Sequence, residues 1–235
     1  MTALPRAILF DLDDTLIHAY SRPEAAWLAV AEELAEAIAP LAPAEASAAI
    51  AAHARTFWAD PERHRLWRQR IGDARREIVA GALGTRVSAD AAHRLADRFS
   101  AWREEKMHLF EGAHETLDAL KAAGVRLALV TNGAVESQRP KVERFDLARR
   151  FDHIQIEGEH GFGKPEKRAY RHAMAALGVE AADTWMVGDH LEWEIAAPQR
   201  LGIFAIWHDT LGEGLPAGSP VRPDRIIRSL GELLE

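Results

Sequence analysis

The sequence predicts an α/β protein in which a doubly wound parallel sheet is accompanied by a second, smaller, all-helical domain. From residue 112 onward, short apolar runs alternate with helical segments, as in parallel strands joined by helices. These runs are apolar throughout, which is expected of strands covered by helices on both faces. Residues 17–106 instead are rich in Ala, Glu, Arg and Leu and contain no β-branched run, which favours helices.

The N-terminal half predicts one strand followed by a helical insertion. The apolar run Ala7–Phe10 is the strand, and it ends at Asp11. Four helices are then predicted, with prolines or a glycine between them, over 24–39, 44–59, 62–83 and 89–106. In the third helix an apolar stripe at steps of four, three and four residues is typical of a core-facing side: Trp67, Ile71, Ala74 and Ile78.

The C-terminal half predicts the rest of the sheet and its helices. Helices are expected over 112–123, 165–177 and 192–201, with a final helix at the C-terminus. The first two end at Gly124 and Gly178, residues that terminate helices readily. Strands are expected over 125–130, 154–156, 184–187, 203–207 and 224–227.

Composition limits the class of protein. The chain has 235 residues, no cysteine, and an apolar content of 48% that is ordinary for a globular protein. A net charge of −7 disfavours broad nucleic-acid binding. No apolar run approaches the roughly 20 residues of a membrane span. We therefore expect a cytoplasmic protein without nucleic-acid or membrane partners, in which any metal is bound by oxygen or histidine.

Two carboxylates follow the first predicted strand. Asp11 ends the run, Asp13 comes two residues later, and Thr15 follows. The carboxyl ends of parallel strands are where open α/β sheets place their chemistry. Two carboxylates held close together repel each other and attract a hard divalent cation. An acidic turn without function would give the same pattern, so the assignment depends on further residues.

Three later segments supply those residues. Thr131 and Asn132 follow a predicted strand, where a hydroxyl and main-chain amides can receive phosphate oxygens. Lys164 lies in Gly-Lys-Pro before a helix, and Asp189 follows another strand in Val-Gly-Asp. Alone, each has a plain structural interpretation: an Asn-Gly turn, a surface lysine and a helix cap.

Taken in order, these segments resemble the four motifs of the haloacid dehalogenase superfamily. The resemblance covers essentially the whole chain and implies a Rossmann-like core, residues 1–16 and 107–235, with a helical cap domain over 17–106. This arrangement resembles the subclass of haloacid dehalogenases and phosphoglycolate phosphatases. Thr-Asn-Gly-Ala-Val-Glu-Ser-Gln is most similar to pyrimidine 5′-nucleotidases and N-acylneuraminate-9-phosphatases of that subclass.

The resemblance implies a Mg²⁺-dependent phosphatase that acts on a small phosphorylated metabolite, with a nucleotide or sugar phosphate suspected. Asp11 would be the nucleophile that forms an aspartyl-phosphate, and Asp13 the general acid and base. Asp11, the main-chain carbonyl of Asp13, and Asp189 would bind the metal. Thr131, Asn132 and Lys164 would hold the phosphoryl oxygens. A monomer or homodimer is expected.

One position departs from the family pattern. An aspartate commonly follows the fourth motif by four or five residues, and here Glu194 stands at the fifth. Its carboxylate is expected to hold a metal-bound water or Lys164 rather than the ion itself. Glu192 is the alternative.

Residues of the insertion and its entrance are candidates for substrate contact. Arg65 and Arg68 could bind an anionic or planar leaving group, as could Arg55, Trp58 and Trp67. His18 could line the cleft or lie on the hinge. For each, a solvated arginine or a packed ring is the simpler interpretation.

Other activities are compatible with the fold. A 2-haloacid dehalogenase would share the nucleophile but lacks an acid two residues later, so Asp13 disfavours it. A phosphotransferase would share the first motif, and so would a phosphonate-cleaving enzyme. The latter needs a lysine in its cap, yet residues 17–105 contain none. A non-catalytic binding or regulatory protein usually lacks a nucleophile or metal ligand, and all are present here.

Overall fold

The computed structural model describes residues 4–19 and 23–235, which pack as two compact units. The first unit comprises Met1–His18 and His108–Glu235, and the second comprises Ala19–Met107. No helix in the described part of the chain is long and apolar enough to cross a membrane.

A six-stranded sheet forms the centre of the first unit, and a two-stranded ribbon lies outside it. In chain order the strands are β1 (Ala7–Phe10), β2 (Ile17–His18), β3 (His108–Leu109), β4 (Arg126–Thr131), β5 (His153–Ile156), β6 (Thr184–Gly188), β7 (Phe204–His208) and β8 (Arg225–Ile227). The sheet has the order β5-β4-β1-β6-β7-β8, and all its pairs are parallel. The predicted doubly wound parallel sheet is confirmed.

The strand order places a topological switch at β1. The chain passes from β1 to β4 and β5 on one side, and then returns to β6, β7 and β8 on the other. Connections leave β1 in opposite directions at such a point, so a crevice opens outside the carboxyl ends of the strands. Phe10, the last residue of β1, is in register with Leu129 of β4 and Val187 of β6. The loops after β1, β4 and β6 therefore meet at one edge.

Burial follows the expected pattern for a sheet covered on both faces. All four residues of β1 are fully buried, and β4 and β6 are nearly so. The ribbon of β2 and β3 carries aromatic side chains instead: His18 stacks on His108 with ring centroids 4.5 Å apart and contacts Phe110 at 3.6 Å.

The second unit is all helical in its described residues. Its helices are α1 (Pro23–Glu33), α2 (Ala35–Ile38), α3 (Pro43–Ala59), α4 (Pro61–Trp67), α5 (Ile71–Leu83) and α6 (Ala89–Lys106). Trp27 of α1 stacks on Phe99 of α6, with ring centroids 3.5 Å apart and planes inclined by 8°. This pair lies in an apolar core that also includes Ile50, Ile78 and Leu95.

Five further helices accompany the sheet in the described part of the first unit: α7 (Ala113–Ala122), α8 (Val135–Arg144), α9 (Glu157–His160), α10 (Lys167–Leu177) and α11 (Ala197–Gln199). A π-helical segment, Leu191–Ala196, directly precedes α11. Short 3₁₀ turns occur in both units, at Arg68–Arg70, Gly84–Arg86, Ala148–Arg150, Ala181–Asp183 and Leu230–Leu234.

Some predicted helices differ in the structure. The helix expected over 62–83 is divided by the turn Arg68–Arg70, because Arg70 leaves the helical region with φ −137° and ψ 58°. The final helix is the 3₁₀ turn Leu230–Leu234. The segment 192–201 begins with the π-helical turn rather than as an α-helix. Helix α8 follows β4 and was not predicted. It contains Pro140, a residue that disfavours helix interiors.

Candidate active site

Asp11 lies just beyond β1, at the switch point of the sheet. Its main-chain N–H donates to the carbonyl oxygen of Val187 over 3.0 Å, which continues the pairing of β1 with β6 by one residue. The residue is only 7% exposed. A carboxylate placed this deeply needs a positive partner, because burying an unpaired charge is costly.

That partner is Lys164, which is fully buried. Its Nζ atom lies 2.5 Å from Oδ1 of Asp11 and 2.7 Å from Oε1 of Glu194. One ammonium group therefore joins the loop after β1 to the segment after β6. A lysine 153 residues away in sequence thus provides the counter-charge of Asp11.

Asn132 fixes the main chain of Lys164. The Nδ2 atom of Asn132 donates to the Lys164 carbonyl oxygen, and its Oδ1 atom accepts from the Lys164 N–H, both over 2.8 Å. The Asn132 side chain, which was predicted to hold phosphoryl oxygens, therefore binds the main chain of Lys164. Thr131, the other predicted phosphate-binding residue, is buried at the end of β4.

Glu194 and Glu192 have different surroundings. Glu194 is 1% exposed, and its Oε2 atom accepts the main-chain N–H of His190 over 2.9 Å. A Cβ atom on Gly188 would overlap the Glu194 side chain, so this close approach requires glycine. Glu192 instead pairs with the exposed Arg200. The geometry brings Glu194, and not Glu192, to Lys164.

Asp13 binds two side chains of α8. Lys141 Nζ lies 2.7 Å and 2.8 Å from the two carboxylate oxygens, and Gln138 Nε2 donates to Oδ2 over 2.9 Å. Sequence reasoning missed both residues. Their spacing of three places them on one face of α8, but no helix was predicted at this position, so the sequence offered no signal for the contact.

Thr15 connects the first and fourth motifs. Its fully buried hydroxyl lies 3.2 Å from Oδ2 of Asp11 and 3.4 Å from Oδ1 of Asp189. A hydroxyl has one proton to donate, so it can serve one of these oxygens at a time. The carboxylates of Asp11 and Asp189 are therefore both within reach of the Thr15 hydroxyl.

The electrostatics of the site reflect crowded negative charge. Burial raises the pKa of Asp11 to about 7, against the opposing charge of Lys164. Burial, together with Glu194 and Asp11, raises the pKa of Asp189 well above its ordinary value. Burial also raises the pKa of Glu194. Burial alone would lower the pKa of Lys164, but Asp11 and Glu194 outweigh it and raise that pKa.

These groups fit a divalent cation. The carboxylates of Asp11, Asp13, Asp189 and Glu194 outnumber the ammonium groups of Lys141 and Lys164 by two. The donors are all oxygens, as Mg²⁺ prefers. Among the described residues, three or more acidic, histidine or cysteine side chains do not converge on one metal position. A site made from two carboxylates and a main-chain carbonyl does not need a third such side chain.

The candidate substrate residues are distributed over the two units. His18 belongs to the aromatic ribbon of the first unit. In the second unit, Arg65 is exposed and pairs with Glu62 at 3.1 Å, and Arg68 lies in the turn between α4 and α5. Arg55 pairs with Glu24 on the surface.

Comparison with known proteins identifies the class of hydrolase to which this fold and this site belong. The family model of haloacid dehalogenase-like hydrolases matches residues 5–202 of the sequence. The chain belongs to this family, which confirms the predicted membership.

Curated relatives of the chain include phosphatases. The chain is 33% identical to phosphoserine phosphatase of Thermus thermophilus over 178 residues, which cover 75% of the chain and 65% of that protein. It is 30% identical to N-acylneuraminate-9-phosphatase of Rattus norvegicus over 238 residues, which cover 97% of this chain and 92% of that protein. A ribulose-1,5-bisphosphate 5-phosphatase of Halopiger xanaduensis is 32% identical over 147 residues, which cover 60% of this chain and 62% of that protein. The chain spans less than two thirds of the Thermus and Halopiger proteins.

Solved structures share the fold. The HAD-hydrolase YfnB of Bacillus subtilis, bound to magnesium, superposes with a TM-score of 0.76 at 24% identity, covering 98% of this chain and 97% of that one. A 2-haloacid dehalogenase of Pseudomonas syringae superposes with a TM-score of 0.61 at 26% identity, covering 98% of each chain.

Proposed function

We propose that the protein is a Mg²⁺-dependent phosphomonoester hydrolase acting on a small phosphorylated metabolite. The observation that carries the proposal is the buried pair of Asp11 and Lys164 at the switch point of the sheet, with Asp13 two residues on. A nucleophile, a cation for phosphoryl oxygens and a second acid are thereby available at one strand end. Phosphatases among the relatives support the reaction class.

In the first step the Asp11 carboxylate attacks phosphorus. The bond from phosphorus to the ester oxygen breaks, and that oxygen leaves with the electron pair and takes a proton from Asp13. In the second step Asp13, now a carboxylate, accepts a proton from water as the water oxygen attacks the aspartyl-phosphate. Inorganic phosphate forms and the Asp11 carboxylate is regenerated.

The remaining residues would hold the phosphoryl group and the cation. Lys164 and Thr131 would bind phosphoryl oxygens, and Asn132 would contribute by fixing Lys164. Asp11, Asp189 and the Asp13 carbonyl would hold Mg²⁺. When bound, Mg²⁺ would neutralise charge on the phosphoryl oxygens, which otherwise repel an attacking carboxylate.

For the substrate we propose a sugar phosphate or a nucleotide. The N-acylneuraminate-9-phosphatase alignment, which spans nearly the full length of both proteins, supports a sugar phosphate. His18, Arg65 and Arg68 stay proposed contributors to substrate choice. A cytoplasmic location and a monomeric or homodimeric state also stay predictions.

The test is phosphate release from a panel of sugar phosphates, nucleoside monophosphates, phosphoserine and p-nitrophenyl phosphate, with Mg²⁺ and with excess chelator. The unchanged enzyme should release phosphate only with the metal. Asp11→Asn should abolish turnover, because the nearly isosteric amide is a poor nucleophile. More than a few per cent residual activity would refute Asp11 as the nucleophile.

A 2-haloacid is included in the panel as the competing substrate. The dehalogenase among the solved structures shares the fold, but the second acid, Asp13, disfavours dehalogenation. Halide release without phosphate release would replace the proposed function. Release of neither, with an intact fold, would favour the non-catalytic alternative.

A further inference from the structure

We propose that Lys141 and Gln138 are positioning residues that hold the Asp13 carboxyl in place for proton transfer. The proposal rests on the function proposed above, in which Asp13 exchanges a proton with the leaving oxygen. It assigns a role to two side chains on α8 that lie outside the four motifs.

The contacts are numerous for one carboxylate. Lys141 Nζ reaches both oxygens of Asp13, at 2.7 Å and 2.8 Å, and Gln138 Nε2 reaches Oδ2 at 2.9 Å. The ion pair is well shielded, because the side chains of Lys141 and Asp13 are 10% and 15% exposed. Charge-assisted bonds of this length fix a carboxylate more firmly than neutral ones.

Gln138 connects the Lys141–Asp13 pair to the loop after β4, which contains Asn132. Its Nε2 atom also donates to the carbonyl oxygen of Asn132 over 2.6 Å. Two acceptors, one on Asp13 and one on Asn132, determine that the nitrogen rather than the oxygen of the amide faces them. The orientation of Asp13 is thereby tied to the loop that also fixes Lys164.

The two acids of the first motif thus have separate lysines. Lys164 pairs with Asp11, and Lys141 pairs with Asp13. General acid–base catalysis contributes typically 10²- to 10⁴-fold, but only when the acid lies within hydrogen-bond reach of the atom it protonates. A carboxyl group that must serve first as acid and then as base has to return to one position. The contacts from α8 provide that constraint.

The experiment compares two leaving groups. kcat/KM is measured with p-nitrophenyl phosphate, whose phenolate leaves with little protonation, and with a primary-alkyl phosphate, whose alkoxide needs a proton. The alkyl substrate is the sugar phosphate or nucleoside 5′-monophosphate that the unchanged enzyme hydrolyses fastest. This parameter covers steps up to formation of the aspartyl-phosphate and excludes its hydrolysis, so it isolates the acid role of Asp13.

For Lys141→Met we expect kcat/KM to fall about 10- to 100-fold on the alkyl substrate and less than about threefold on the aryl substrate. Gln138→Met should show the same selectivity with a smaller loss. Lys141→Arg should recover part of the alkyl activity. The matched control is Lys121→Met, since Lys121 pairs with Asp152 at 2.7 Å in the same unit, and it should leave the ratio of the two substrates unchanged.

Coupling to Asp13 supplies the second readout. If Lys141 acts through Asp13, adding Lys141→Met to Asp13→Asn should change the substrate ratio no further. Equal losses on both substrates, or a further change in the Asp13→Asn background, would overturn the proposal and leave Lys141 a structural role.

Two other outcomes are also decisive. Should Lys141→Met not fold, Gln138→Met and Lys141→Arg carry the same comparison. Absence of phosphate release by the unchanged enzyme with Mg²⁺ would reject the proposed function itself, a result distinct from loss of selectivity in a variant.

Discussion

Asn132 holds the main chain of Lys164 through both of its side-chain polar atoms. The two hydrogen bonds, each 2.8 Å long, span the N–H and the carbonyl of one residue. Lys164 in turn places its ammonium 2.5 Å from Asp11. Asn132 therefore acts on Asp11, the proposed nucleophile, indirectly: it fixes Lys164, which pairs with Asp11.

Asn132→Ala should therefore impair catalysis by displacing Lys164. Because small misplacements of a charged group can cost about 10²-fold, we expect kcat to fall about 10- to 100-fold. The matched control is Gln199→Ala, since Gln199 Nε2 also binds main chain and a carboxylate, Arg222 and Asp224, away from the site. Steady-state kinetics compare the two variants, and equal effects on kcat would contradict the assignment.

Glu194 and Glu192 should differ sharply when each is removed. Among the described residues, Glu194→Ala would leave Asp11 as the one carboxylate paired with Lys164, and it would leave the His190 N–H without its acceptor. We expect the phosphatase activity of this variant to fall about 10- to 100-fold. Glu192→Ala breaks an exposed pair with Arg200, which is worth about 1 kcal/mol at most, and should leave activity unchanged.

Glu194→Asp asks whether the longer side chain is needed. It retains the charge and is expected to keep activity within about tenfold, or about 1.4 kcal/mol. Activity and Mg²⁺ affinity that both fall as far as in Glu194→Ala would show that the surrounding backbone is fitted to glutamate. Activity and Mg²⁺ affinity unchanged in Glu194→Ala would exclude Glu194 from the site.

Gly188→Ala should destabilise the protein for a purely steric reason. An added Cβ would overlap the Glu194 side chain, and moving that side chain disturbs its bond to Lys164. We expect about 1–3 kcal/mol of lost stability, as for other overpacked sites, together with reduced activity. Gly231→Ala is the control, because nothing lies within 4 Å of its added Cβ. Denaturant unfolding measures both, and equal stability losses would refute the close-packing explanation.

The sequence predicts the parts of this site that depend on local pattern. An apolar run that ends in an acid indicates both the strand and the position of Asp11, and the same holds for Asp189. The partners of Asp13 were not predictable in this way. Gln138 and Lys141 lie 125 and 128 residues from it, and their contact depends on how α8 packs beside the loop after β1. Likewise, periodicity alone could not reveal that Arg70 leaves the helical region between α4 and α5.

Mg²⁺ affinity should depend on pH with a defined sign. Burial raises the pKa of Asp11 to about 7, so without metal its protonated form is favoured below that pH. Metal ligands must be deprotonated. The apparent affinity should therefore rise as the pH passes through about 7, and the raised pKa of Asp189, the other carboxylate ligand, should add to that rise.

Titration calorimetry at pH 6 and pH 8 should give a dissociation constant at least about tenfold weaker at pH 6, because a proton with a pKa of about 7 must first be displaced from Asp11. Measurements in two buffers of different ionisation enthalpy should reveal proton release at pH 6. Ca²⁺ should bind but not support turnover, because it prefers more ligands and looser geometry than Mg²⁺. Equal Mg²⁺ affinity at the two pH values would mean that Asp11 is not a ligand, or that its carboxyl is already ionised without metal.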